Sequence, residues 1–155
     1  MESTASNNAA RLAQTIDKQR ETIDELETPV MEVWNGILAL PIIGTVDTSR
    51  AQSMTERLLQ KIVDTRSEVV ILDITGVPVV DTAVCRHLLE TIAASKLLGA
   101  EVLIVGVTSR IAMTLVHLGL DLGGVTTRTT MARGLELAFA RLGLKVVASE
   151  RAPGG

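Results

Sequence analysis

The chain has 155 residues, 46% of them hydrophobic, with a formal net charge of −3 and a pI near 5.4. That length and apolar content suit one domain with its own core, needing no disulfide or metal to fold. The acidic balance argues against nucleic acid or an anionic membrane as partner, and one Trp, one Phe and no Tyr leave no platform for stacking bases or flat cofactors. Cys85 is the single cysteine, so no internal disulfide forms, and MESTASNNAARLAQ lacks the charged flank and apolar run of a signal peptide. No apolar run approaches the length of a membrane span. A soluble protein of a reducing, cytoplasmic compartment is expected, without cofactor.

Residues 1–8 are small and polar and read as a disordered start. Leu12, Ile16, Gln19, Ile23 and Leu26 then recur at spacings of four, three, four and three, a heptad seam with one polar member. The pattern predicts an amphipathic helix over 9–27. Such a helix can lie on its own domain, but the narrow seam and its flanking Arg11, Lys18, Arg20, Glu21 and Glu25 favour pairing with a second copy. Thr28 and Pro29 end it, because the residue before proline is driven out of the helical region. Val30 to Trp34 and Ile37 to Val46 flank Asn35-Gly36, which predicts a hairpin whose turn uses positive φ angles, with Pro41 at an edge or a bulge. After Asp47, the spacing of Ala51, Met54, Leu58 and Ile62 predicts a helix, and Val69 to Ile74 reads as a strand covered on both faces. A helix from about Thr82 to Leu98 closes at Gly99, followed by a strand from Glu101 to Val107. A short helix from Ser109 to Leu118 closes at Gly119, a short strand runs near Val125 to Arg128, and a helix spans Met131 to Leu142. The tail, 148–155, reads as flexible. The predicted fold is α/β: a mixed sheet of about five strands with about four helices over 29–147, preceded by the N-terminal amphipathic helix.

The stretch LDITGVPVVDTAVCRHL, Leu72 to Leu88, places a buried strand, a tight turn containing Gly76, and then Asp81 and Thr82 where a helix begins. Either side chain can cap that helix, and Thr82 sets a phosphorylatable hydroxyl at its positive end. The loop leaves the carboxyl end of a central strand, where parallel sheets present groups to ligands and partners. A phosphate there adds about −1.5 to −2 charges. Asp81 opposes that charge, as do Asp47 and Asp73 if they lie close; one unit pair at about 6 Å is worth roughly 3 kcal/mol before salt screening. Asp47, Asp73 and Asp81 could together hold Mg²⁺ as in a phosphoacceptor receiver. However, Asp47 suits a helix cap, Asp73 interrupts an apolar strand, and the later strand end at Val107, Thr108 and Ser109 offers no lysine. Cys85 and His87 point to different helix faces and His117 is remote, so neither a nucleophile pair nor a zinc site is expected. No phosphate-loop or dinucleotide fingerprint is present. These residues do not describe an enzyme. They leave a phosphoswitch at Thr82, a small-ligand or nucleotide domain using the loops at Gly76, Asp81 and Thr108, and a receiver-like module phosphorylated on Asp81.

The order of elements around VVILDITGVPVVDTAV resembles the STAS domain, named for sulfate transporters and anti-sigma-factor antagonists, over residues 29 to about 145. More narrowly, TPVMEVWNGILALPIIGTVDTSRA from Thr28, DTAVCRHL from Asp81, KLLGAEVLIVGV from Lys96 and SRIAMTLVHLGLDLGGVTTRTTM from Ser109 resemble stressosome scaffold proteins of the RsbR type. The resemblance implies a non-catalytic scaffold that holds a switch serine/threonine kinase and other STAS scaffold proteins in a homodimer or larger assembly. It also implies that phosphorylation at the position matching Thr82 releases the kinase. Some scaffold members carry a second phosphorylated threonine, which falls on Thr114; spacing alone makes Thr114 a half-buried residue at the margin of the stripe Ile111, Leu115 and Leu118. Members commonly join a sensor domain to the STAS domain through a helix, and 9–27 matches that helix.

Overall fold

The computed structural model describes residues 8–16, 29–117, 119 and 124–144. The tail expected to be flexible, most of the N-terminal start, and Gln19, Ile23 and Leu26 of the seam lie outside the described residues; Asn8, placed in that start, is already helical.

A helix over residues 8–16 (α1) precedes β1 (Met31–Trp34), β2 (Ile37–Ile43), α2 (Thr48–Thr65), β3 (Val69–Gly76), α3 (Thr82–Leu97), β4 (Glu101–Val105), α4 (Ser109–His117), β5 (Thr126–Arg128) and α5 (Met131–Arg141). The five strands lie in the order β1-β2-β3-β4-β5, with β1 antiparallel to β2 and the remaining pairs parallel. This is the mixed α/β architecture that the alternation of periods predicts. Strand order follows chain order, so crossovers of one hand deliver their helices to one face of the sheet. Accordingly Met54 and Leu58 of α2, Val84 and Leu88 of α3 and Leu115 of α4 share one core with Leu38, Leu40, Val70, Leu72, Val102 and Ile104. Helix α5 makes no crossover and covers the opposite face, where Met131, Leu135 and Phe139 meet Ile37, Val69, Ile71, Leu103 and Val105. β3 is buried along its first six residues because both layers cover it, hence its apolar run from Val69 to Ile74, broken only by Asp73.

Two local expectations shift. The turn at Asn35-Gly36 does not use two positive φ angles: Gly36 alone takes one, at 95°, and the β1–β2 register slips between Glu32 and Trp34. The single left-handed glycine and the slipped pairing absorb the twist that a mirror-type turn would otherwise supply. β2 ends at Ile43 rather than Val46, at Gly44 with φ 81°. Pro41 lies inside β2, beyond the last pairing with β1 and beside the register shift toward β3, where a missing N–H costs no ladder bond to β1.

Candidate functional site

All of α2, α3, α4 and α5 start at the carboxyl edge of the sheet, and a side-chain oxygen caps each start. Asp47 accepts from Arg50 N at 2.7 Å, Asp81 from Val84 N at 2.9 Å, Thr108 from Ile111 N at 3.2 Å and Thr130 from Arg133 N at 3.2 Å. Helix starts leave several N–H groups without helical partners, so these four caps complete the edge with short polar side chains.

Within that edge, the segment from Ile74 to Thr82 is held at two points. Val77 and Val80 are buried in the α2/α3 core while Pro78 and Val79 face outward, Val79 at 63% exposure. Val77 N donates to Ile74 O at 3.0 Å, and Gly76 O accepts from Gly44 N at 3.0 Å. Gly76 belongs to this framework: a Cβ there would sit 3.0 Å from Ile42 O and 3.3 Å from Ile43 Cα, tight enough that β2 would have to give by a few tenths of an ångström. The loop therefore presents Asp81, Thr82 and Ala83 on a fixed support, all three exposed.

The choice between Asp81 and Thr82 as cap is decided by geometry. Asp81 is extended (φ −107°, ψ −173°) and supplies the capping oxygen, while Thr82 is the first helical residue. Among the described residues the Thr82 hydroxyl makes no hydrogen bond. It stands in solvent at the positive end of a 16-residue helix.

The three aspartates part company. Asp47 and Asp81 cap α2 and α3 on one side of the sheet. Asp73 faces the other side and is 1% exposed; its Oδ1 accepts from Thr75 N at 2.9 Å and from the Thr75 hydroxyl at 2.6 Å. It lines a cleft there with residues of α1 and α5. Alternation along β3 sets this, since Asp73 shares the parity of Val69 and Ile71. No group of three or more His, Cys, Asp or Glu able to hold a metal occurs among the described residues.

Thr114 is half-buried on α4 and its hydroxyl donates to Arg110 O at 3.0 Å. Cys85 is fully buried, and that burial pushes its thiol pKa above the ordinary value, so it is not a poised nucleophile. His87 turns instead toward α2, where its Nε2 lies 3.4 Å from the Thr48 hydroxyl. One turn further along α3 and two along α2, the Thr55 and Thr91 hydroxyls meet at 2.8 Å, and Thr91 donates to His87 O at 2.9 Å. Sequence reasoning missed this polar contact between α2 and α3. The available signal was Thr48, Thr55, His87 and Thr91 falling at helical spacing beside the apolar stripes.

A family model, STAS domain, matches residues 28–133. The chain belongs to the STAS domain family. It is 41% identical over 133 residues to the RsbT co-antagonist protein RsbRA of Bacillus subtilis, an alignment covering 86% of this chain and 48% of that protein. Among solved structures, a serine-to-glutamate variant of Moorella thermoacetica RsbS superposes with a TM-score of 0.66 at 28% identity, covering 76% of this chain and 99% of that one. A chain from a study of the molecular architecture of the stressosome shares the STAS fold at a TM-score of 0.59 and 24% identity, covering 74% of this chain and 98% of that one. The chain spans about half the length of the RsbR-type relatives it matches. No helix among the described residues is long and apolar enough to cross a membrane.

Proposed function

We propose that this STAS protein is a non-catalytic scaffold and antagonist module of a stress-signalling complex. It binds a switch serine/threonine kinase through the edge around Thr82 and releases it when Thr82 is phosphorylated. The observation that carries this reading is the division of labour at the start of α3: Asp81 caps, and the exposed Thr82 hydroxyl makes no hydrogen bond among the described residues. A phosphate at that position brings about −1.5 to −2 charges beside the Asp81 carboxylate. A partner contact that tolerates Asp81 alone then meets concentrated negative charge. Even discounted for solvent screening, a loss of one to two steps of about 1.4 kcal/mol weakens binding roughly ten- to a hundredfold.

Similarity to an RsbT co-antagonist protein supports a kinase as partner, and the likeness to RsbS supports other STAS scaffold proteins as neighbours in a larger assembly. The heptad seam Leu12, Ile16, Gln19, Ile23 and Leu26 supports homodimerisation. Thr114 is proposed as a second phosphorylation site. A small-ligand or nucleotide site formed by the loops at Gly76, Asp81 and Thr108 gains no support, because Gly76 seats β2 against β3 while Asp81 and Thr108 cap helices. The test is titration of the switch kinase with wild type, Thr82→Ala and Thr82→Glu, together with intact mass after ATP addition. One phosphate mapping to Thr82, with kinase binding kept by Ala and lost by Glu, is the expected result. Equal binding by all three with no phosphate overturns the reading.

A further inference from the structure

Arg86 follows Thr82 by one turn of α3, and both residues are exposed. Residues four apart on a helix are surface neighbours, with Cβ atoms about 5–6 Å apart. A helical side chain leans toward the N-terminus of its helix, so the Arg86 stem runs toward the turn that carries Thr82. Its other neighbour at that spacing is Glu90, also exposed. No pair joins them: Arg86 makes no hydrogen bond or ion pair among the described residues. The order of the charges explains this. An anion four residues before a cation is the favourable arrangement, in keeping with the helix dipole, and Arg86 before Glu90 reverses it. A phosphate on Thr82 supplies the favourable order.

We propose that Arg86 is a positioning residue for the modified site: it pairs with a phosphate on Thr82 and holds that phosphate along the surface of α3. This rests on the phosphorylation of Thr82 proposed above. The planar guanidinium can bond two phosphate oxygens at once, and a group of about −1.5 to −2 charges attracts it more strongly than the single charge of Glu90. The pair also offsets the repulsion from Asp81, whose carboxylate stays at the helix start as the acceptor of Val84 N. The same offset from the first residues of α2 and α4, Thr48 and Ser109, falls on Gln52 and Met113. Of these three helices, only α3 sets a cation one turn after its first hydroxyl.

Phosphothreonine incorporated genetically at position 82 tests the pair without any kinase. The change in Tm caused by the phosphate should be more favourable in wild type than in Arg86→Gln by about 1–2 °C, read as a double-mutant cycle so that the effect of either change alone cancels. The phosphorus NMR resonance should titrate at lower pH in wild type than in Arg86→Gln, because a neighbouring cation favours the dianion. His87 turns toward Thr48 on α2 and is present in every variant compared, so it does not create that difference. Arg86→Lys should restore most of the NMR shift, and salt at about 1 M should remove most of the Tm difference. Equal Tm changes and equal NMR midpoints in wild type and Arg86→Gln refute the pair, even where the kinase modifies Thr82. Coupling in the incorporated protein, with Thr82 left unmodified by the kinase, upholds the pair and overturns only the kinase reading.

Discussion

Replacing Asp81 by Ala should destabilise the domain, whereas replacing its neighbour Thr82 by Ala should not. Asp81 Oδ1 accepts the N–H of Val84 at 2.9 Å, and Val84 is itself buried, so water is a poor substitute acceptor at that position. Loss of a side-chain N-cap costs about 1 kcal/mol, within a range of roughly 0.5–2. Asp81 also places negative charge at the positive end of α3, worth about 0.3–1 kcal/mol at low salt and less here because the side chain is exposed. The sum, about 1–2 kcal/mol, lowers Tm by roughly 3–6 °C in a domain of this size. Asp81→Asn keeps the hydrogen bond and loses only the charge, so it should cost a few tenths of a kcal/mol. Thr82→Ala removes an exposed hydroxyl that makes no hydrogen bond among the described residues and introduces a better helix former, so its effect should stay within about ±0.5 kcal/mol. Urea and thermal unfolding followed by far-UV circular dichroism measure all three. Should Thr82→Ala cost as much as Asp81→Ala, Thr82 shares the cap, and the argument for a hydroxyl kept free for modification collapses.

Burial raises the Cys85 thiol pKa, so the folded state holds this proton more tightly than the unfolded chain. The contribution is therefore fully present below the unfolded thiol pKa and is lost as pH rises through the folded value; stability should fall on the alkaline side, and Cys85→Ala should flatten that limb in pH-dependent urea melts. Gly106→Ala should cost about 3 kcal/mol or more, since φ is 87° and a Cβ would collide with the Thr75 hydroxyl and approach Thr75 N at 2.6 Å; thermal unfolding or loss of soluble protein reads this out. In a kinase time course followed by peptide mass spectrometry, Thr114 should be modified later than Thr82, because its hydroxyl must first leave Arg110 O, and Thr114→Val should leave the Thr82 rate unchanged.

The sequence by itself determined what is decided over a few residues. The period-two and period-3.6 stripes placed four of the five strands to within about two residues, together with every helix start in the described domain, and Asp47 could be read as a cap from its position alone. Even there it left the cap of α3 shared between Asp81 and Thr82, because both side chains can serve and only the extended backbone at Asp81 separates them. It misjudged the hairpin turn and ran β2 on to Val46, because turn type and strand end depend on the twist and register of a neighbour. What tertiary structure alone decided is which side chains meet across the fold. Asp73 faces α1 and α5 while Asp47 and Asp81 stand on the other side, because strand alternation and crossover hand together assign faces. Thr48, Thr55, His87 and Thr91 join only once α2 and α3 lie side by side. The same holds for α1: a heptad pattern states that one stripe is apolar, but the surface that buries Ile16 lies more than 50 residues further along the chain, at Ile71, Leu135 and Phe139. Local patterns encode the capacity for burial, and the competition among distant surfaces chooses the occupant.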